Sequence, residues 1–346
     1  MPDPVFEHVL DALGPLGWSE RVAALFEPSR AIIPGRISRV ERSACVVATS
    51  RGSVLVSSSP ATKPLAVGDW VGLTPDGDPR VTVVLPRWSE LSREDPSGAH
   101  PQVLAANIDV VLVVAPGDRL HATRVERELV MAWNSGAVPV VVLTKADLAP
   151  PDAFEDLSRR LVGADVILTS VVTGSGIDEV ASMLRPDRTA VLLGPSGAGK
   201  STLANALLGA DVLAIGDVRD DDRRGRHTTT SRQLLPVPGG GVIIDTPGLR
   251  SLGLGADEGG VSAAFADIEE LAAICRFGDC RHDGEPGCAV TDAATTGALD
   301  RARLTSFRKL QREAAFQQRR TDVRARQESV RKWKAITKAN RARSHG

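Results

Sequence analysis

No run of apolar residues in this chain reaches the roughly 18 needed to span a bilayer. The start, Met1-Pro2-Asp3-Pro4, lacks the basic-then-apolar layout of a secretory signal, so the expected location is the cytoplasm, away from any membrane. No internal repeat is visible, which argues against a solenoid or propeller. Cysteine is scarce, with four in 346 residues. Cys45 stands far from the other three, which crowd into 14 residues beside a histidine. That spacing argues against a disulfide framework and for metal in a reducing compartment.

What is present is ordinary for a soluble protein: 42% hydrophobic and 25% charged residues, in a length that suits two or three domains. The net charge of −1 conceals an asymmetry. From Asp300 onward 15 Lys/Arg face 4 Asp/Glu, a net of +11, while the other 299 residues carry 27 against 39, a net of −12. A basic end on an acidic body suits a polyanionic partner, although a solvated helix face gives the same count. Trp333, amid Arg331, Lys332 and Lys334, could stack on a base or pack against the protein.

Texture divides the chain. Residues 1–30 read as a short amphipathic helical lead-in, with Val9, Leu10, Leu13 and Leu16 apolar. Short β-rich runs follow (43–49, 53–57, 70–73 and 80–85), punctuated by Gly, Pro, Asp and Ser. Five short strands in about 60 residues fit an OB-type barrel, a scaffold that often binds nucleic acid. Next come fully apolar runs at 109–115, 138–143, 166–169, 190–193 and 242–244, alternating with helical stretches such as 124–134 and 199–208. Such runs are buried on both faces, so the sheet is mostly parallel. A helix over 262–273 leads into the Cys/His loop, and a polar helical tail ends the chain.

Gly194-Pro195-Ser196-Gly197-Ala198-Gly199-Lys200-Ser201 fits G-x-x-x-x-G-K-[ST] between an apolar strand and a helix, the context the motif requires. Glycines let backbone N–H groups wrap phosphates, and the helix N-terminus adds positive partial charge. Lys200 reaches the β- and γ-phosphates, Ser201 ligates Mg²⁺, and Thr202 faces the α-phosphate. Downstream, Asp245-Thr246-Pro247-Gly248 closes a strand with an acid for Mg²⁺ and a glycine N–H for the γ-phosphate. The polar stretch between them ends His227-Thr228-Thr229-Thr230, and a loop of this kind suits a switch that brings Thr229 to Mg²⁺ and the γ-phosphate.

The base-reading element is out of order. Thr144-Lys145-Ala146-Asp147 closes a strand about 50 residues before the phosphate loop. The Asp147 carboxylate can accept from guanine N1–H and N2–H₂, whereas adenine has no such donor pair. Lys145 packs its stem along the base, and Thr144 replaces the more usual Asn, which weakens any bond to N7. A Ser170 N–H at the next strand end could meet O6. Cys275, Cys280, His282 and Cys288 supply three thiolates and an imidazole, a recognised tetrahedral zinc set with no open position; buried thiols or redox chemistry are the alternative.

The order of base-reading, phosphate and switch elements resembles the circularly permuted GTPases of the RsgA (YjeQ, YloQ) family. The likeness covers nearly the whole chain, from Val67-Gly68-Asp69-Trp70 to the Cys/His tail. It implies a multidomain α/β protein: a helical extension (1–30), an OB barrel (31–98), a permuted GTPase domain (99–258) and a zinc-binding, basic helical domain (259–346). It also implies one structural zinc, Mg²⁺ with GTP, a monomer, and ribosome-stimulated GTP hydrolysis during late assembly of the small subunit, with rRNA contact and release afterwards. Leu249 follows Gly248 where Ras-like enzymes carry a water-orienting Gln; in the resembling family the histidine of the Arg-His-Thr-Thr stretch, here His227, is the proposed substitute.

Overall fold

The computed structural model describes residues 12–26, 32–41, 43–57, 64–93, 102–150, 152–161, 163–213, 232–246, 259–319 and 323. The chain divides into two compact units, 1–253 and 254–346.

The first unit begins with a single turn at Gly14–Leu16 and the short helix α1 (Glu20–Ala23), so only a fragment of the expected lead-in helix is present among the described residues; Val9 and Leu10 lie outside them. β1 (Ile33–Val40), β2 (Ala44–Thr49), β3 (Gly52–Ser57), β4 (Trp70–Leu73) and β5 (Val81–Val84) follow. They pair antiparallel in the spatial order β3-β2-β1-β4-β5. Alternation sends Ile37, Cys45, Val47, Val56, Val71 and Leu73 into one core. A ladder from β3 to β5, which would close the sheet into a barrel, is not among the described pairs. β6 (Glu90–Arg93) and β7 (Gln102–Ala106) form a separate antiparallel pair.

The α/β part contains β8 (Val110–Pro116), α2 (Ala122–Asn134), β9 (Val138–Thr144), α3 (Ala153–Arg160), β10 (Asp165–Leu168) and α4 (Ile177–Met183). It continues with β11 (Thr189–Leu193), α5 (Lys200–Leu208), β12 (Gln233–Pro236) and β13 (Val242–Asp245). Strands β10-β9-β8-β11-β13 are parallel neighbours in that order, and antiparallel β12 lies outside β13. Valine and leucine runs form these strands because side chains on both faces are buried, as in β8, where Val110 to Ala115 are all covered. The chain winds outward from β8 to β10 and then returns to the other side of β8. Loops leaving β8 and β11 therefore diverge, and the crevice between them is the place where such sheets bind ligands.

β12 continues the sheet into the N-terminal strands, pairing with β13 on one side and, at Arg39 with Gln233, with β1 on the other. A buried cation reinforces this junction. The Arg36 side chain on β1 donates to the carbonyls of Leu16, Gly68 and Asn107 and, at 2.8 Å, to Thr189 Oγ1 at the start of β11. It also lies over the Trp70 ring. Burial pushes its pKa down to about 10, while Asp109 and Asp69 pull it upward.

The second unit contains α6 (Gly259–Ala264), α7 (Ala266–Ala272), α8 (Ala289–Thr296) and α9, a helix over 301–319. The single helix expected over 262–273 is broken at Phe265, whose φ of −125° and ψ of 40° leave the helical region. The fully buried Phe265 ring packs against Phe307 with centroids 5.4 Å apart, and the Arg303 guanidinium lies over it. Packing of one aromatic ring outweighs the helical propensity of its neighbours. Among the described residues no helix is long and apolar enough to cross a membrane.

Arg36→Ala is expected to destabilise the first unit by roughly 2–4 kcal/mol, because buried carbonyls lose a charged donor. Arg36→Lys should restore little, since one ammonium cannot span four acceptors. Urea unfolding of the full chain measures both.

Candidate active site and metal centre

The turn after β11 is shaped by its glycines. Gly194 has φ 150°, and a Cβ there would lie 2.2 Å from the Val114 carbonyl oxygen, so the loop is pressed directly onto β8. Gly197 (φ 73°) and Gly199 (φ 87°) supply further left-handed positions that bend the chain into the N-terminus of α5. Lys200 opens that helix and donates from Nζ to the carbonyls of Gly194 (2.9 Å) and Pro195 (2.6 Å), which holds its ammonium within the curve of the loop. Ser201 and Thr202 occupy the first turn of α5.

Thr144, at the end of β9, is buried, and its hydroxyl donates to the Ala198 carbonyl at 2.6 Å. The strand end carrying Thr144-Lys145-Ala146-Asp147 is thus bonded to the glycine-rich turn, 54 positions further along the chain. Its oxygen also stands 3.3 Å from the Ala115 carbonyl, placing Thr144 between β8 and the loop. The hydroxyl is used to tie the loop and not turned toward a base. Lys145 adopts φ 54°, which swings the following residues back over the strand ends, and its Nζ meets Asp118 Oδ2 at 3.3 Å.

Asp147 accepts from the Ser170 hydroxyl at 2.6 Å, which fixes its carboxylate. The Ser170 N–H donates to the Ser175 carbonyl at 3.0 Å and is therefore unavailable for the expected contact with guanine O6. The Ser170 hydroxyl, by contrast, is the group that meets Asp147. Gly176 closes this loop, since a Cβ there would sit 1.9 Å from the Leu168 carbonyl oxygen.

Asp245 ends β13 with Gln233 opposite it. Burial raises its pKa above the usual 3.8, and the Lys200 cation lowers it in part. His227, Thr229 and Gly248 lie outside the described residues. Sequence reasoning missed Asp118 on the turn after β8; the Pro116-Gly117-Asp118 turn signal at the central strand's end was available to find it.

Cys275, Cys280, His282 and Cys288 converge in the second unit, with their ligand atoms all within 4.8 Å of one another. His282 Nδ1 lies 3.6 Å from the sulfurs of both Cys275 and Cys288, and those sulfurs are 4.0 Å apart. A tetrahedral zinc with bonds of about 2.3 Å to sulfur and 2.0 Å to nitrogen has edges of roughly 3.8 Å (S···S) and 3.5 Å (S···N). The donor set and its spacing fit such an ion. Thr291, unremarked in the sequence, donates from its N–H and hydroxyl to Cys288 Sγ at 3.4 and 3.2 Å.

The family model for "RsgA GTPase" matches residues 84–255. A relative from Streptomyces avermitilis, named small ribosomal subunit biogenesis GTPase RsgA, is 48% identical, over 93% of this chain and 91% of its own length. The chain belongs to the RsgA GTPase family. The RsgA of Streptomyces coelicolor is 46% identical over 95% of this chain and 94% of the relative. Among solved structures, YjeQ from Thermotoga maritima is similar with a TM-score of 0.62 and 26% identity, over 82% of this chain and 98% of that one. YloQ, described as a circularly permuted GTPase, has the same fold with a TM-score of 0.59, over 84% of this chain and 97% of its own. RsgA membership accounts for the displaced base-reading motif: the permuted strand order returns it to the phosphate loop.

Two outcomes test this geometry in an RsgA GTPase. Thr144→Val keeps the shape but leaves the buried Ala198 carbonyl unpaired, a cost of about 1–3 kcal/mol, and should weaken GTP binding about tenfold by fluorescence titration. With Asp245 in its expected role toward Mg²⁺, Asp245→Asn should cut hydrolysis by about 100-fold. It should also raise the melting temperature of the nucleotide-free chain at neutral pH. A raised carboxyl pKa means that ionised Asp245 costs stability in full above the folded value, so the gain should fade as the pH falls toward 3.8.

Proposed function

We propose that this protein binds the small ribosomal subunit, hydrolyses GTP during its late maturation, and changes its affinity for rRNA with nucleotide state. The observation that carries the reading is the bond from Thr144 to Ala198, which joins a guanine-reading element to a phosphate loop in an order that only a permuted GTPase requires. The relatives' shared name, small ribosomal subunit biogenesis GTPase, supports the partner.

In this reading Gly194 to Thr202 wrap the phosphates, with Lys200 neutralising charge that grows on the transferring group. Asp147, oriented by Ser170, accepts from the guanine edge. The Lys145 stem lies along the purine, and the neighbouring Asp118 fixes its ammonium end. Ser201, Thr229 and Asp245 would hold Mg²⁺, which would supply positive charge to offset that of the phosphates. Gly248 senses the γ-phosphate, and His227 orients water in place of the glutamine that Leu249 cannot imitate. A leucine at that place makes the isolated enzyme slow, and ordering of the switch on rRNA accelerates it.

The N-terminal strands, in the order β3-β2-β1-β4-β5, are read as an OB-type barrel that meets structured rRNA by shape. The four-part division at 30, 98 and 258 is our reading of the chain, and its last boundary falls five residues past the division between the compact units at 253. Cys275, Cys280, His282 and Cys288 hold one structural zinc, and the basic tail meets phosphates. The protein acts as a cytoplasmic monomer.

Hydrolysis of GTP and ATP measured in parallel, with and without purified small subunits, tests the proposal. GTP turnover should rise at least tenfold with subunits while ATP is ignored; equal GTP rates in both conditions would remove the ribosomal assignment. Asp147→Asn should weaken GTP by about 100-fold, since the carboxylate's pair of charge-assisted bonds is lost. Unaltered guanine selectivity in that variant would refute the base-reading role.

A further inference from the structure

Two of the four cluster residues are fixed by helices. Cys275 comes just after α7, and Cys288 caps the N-terminus of α8, where Thr291 donates to its sulfur. Cys280 and His282 lie in the irregular segment between these helices, and the tie from α8 reaches only the His282 carbonyl, which accepts from the Thr291 hydroxyl at 3.4 Å. His282 is also the one cluster residue with left-handed backbone, at φ 58°, a conformation that side chains other than glycine seldom adopt. Something must hold it there, and the loop's own glycines, Gly284 and Gly287, lie downstream of it.

The Glu285 carboxylate bonds the backbone N–H groups of both residues that flank the histidine. Oε1 accepts from the Arg281 N–H at 3.0 Å and Oε2 from the Asp283 N–H at 2.7 Å. Oε2 also stands 3.7 Å from Cys280 Sγ, so the same group touches the other cluster residue of that segment. Its own backbone is anchored, since the Glu285 carbonyl accepts from the Cys288 N–H at 3.2 Å. A carboxylate is suited to this task because both oxygens accept, whereas a glutamine amide offers one acceptor and a donor. We infer that Glu285 is the positioning residue of the Cys₃His centre, bracketing His282 through the backbone N–H groups of Arg281 and Asp283 so that Nδ1 faces the cysteine sulfurs. The inference rests on reading the cluster as a metal centre. It makes Glu285 a clamp on the loop and not a fifth ligand, because three thiolates and an imidazole already complete a tetrahedral set.

The test uses the full chain as wild type, Glu285→Ala, Glu285→Gln and Asp283→Asn. The last removes a carboxylate that is 81% exposed from the same loop and leaves the two N–H bonds in place. Zinc transfer to a chromophoric chelator gives the release rate, and the visible bands of the cobalt-substituted protein report the ligand set. Both Glu285 variants should release zinc about 10- to 100-fold faster, the usual effect of removing a group that orients metal ligands. Their cobalt bands should match wild type, and Asp283→Asn should release at the wild-type rate. Glu285→Gln, nearly the same shape, carries the test alone if the alanine variant does not fold. Wild-type release rates in the Glu285 variants would overturn the inference. So would cobalt bands that shift on substitution, which would make the carboxylate a ligand, or an equal acceleration in Asp283→Asn, which would make loop charge the cause. A wild-type chain that takes up neither zinc nor cobalt would instead overturn the metal centre itself, and the inference with it.

Discussion

Parallel pairing of β8 with two neighbours, β9 on one side and β11 on the other, is the constraint from which the nucleotide site follows. Val113 of β8 is in register with Val141 of β9 and with Leu193 of β11, so β8 and β9 run three residues past the end of β11 and flank the turn that leaves it. Whatever leaves those ends must share one crevice. Chain order has no bearing on this, because strand neighbours, and not sequence neighbours, decide what meets. The Gly194 backbone lies so close to β8 that no side chain fits between them, and the buried Thr144 hydroxyl closes the remaining gap.

Polar groups inside this protein are handled in two ways. Some are fully paired and rigid. Asp69 is completely buried, accepts twice from Arg87 at 2.7 and 2.8 Å, and also accepts from the Ala66 N–H. Arg36 is held comparably by three carbonyls and a hydroxyl. These knots sit between the N-terminal strands and the sheet, where they fix one arrangement of buried dipoles. Others are left under tension at the site: Asp245 is desolvated, and the neighbouring Thr246 hydroxyl is buried with no hydrogen-bond partner among the described residues.

The sequence made the α/β half legible because its signals are local and redundant. Apolar runs longer than four residues mark β8 and β9 to within a residue, and glycines with a lysine mark the turn after β11. The Cys/His set was equally plain, since four chemically distinctive residues fall within 14 positions. Short, polar strands were not legible. Glu90–Arg93 and Gln233–Pro236 have too few apolar residues to show alternation, and they exist because partners supply their hydrogen bonds. The break at Phe265 depends on Phe307, over 40 positions away, and no local pattern encodes it. The use of the Ser170 N–H was hidden for a similar reason: which backbone donor is free depends on how the loop folds, here through Ser175.

β12 is four residues long and has three obligations. It begins immediately after the polar stretch that carries His227 and Thr229, pairs Gln233 with Asp245, and at the same residue meets Arg39 of β1. A strand slides only in whole residue steps, and a single step turns each side chain to the opposite face. A pull arriving from the polar stretch is therefore shared at once by the acid at the end of β13 and by the first strand of the N-terminal region. Mechanically, β12 is a short tie rod, stiff along its length, with no hinge between its two couplings.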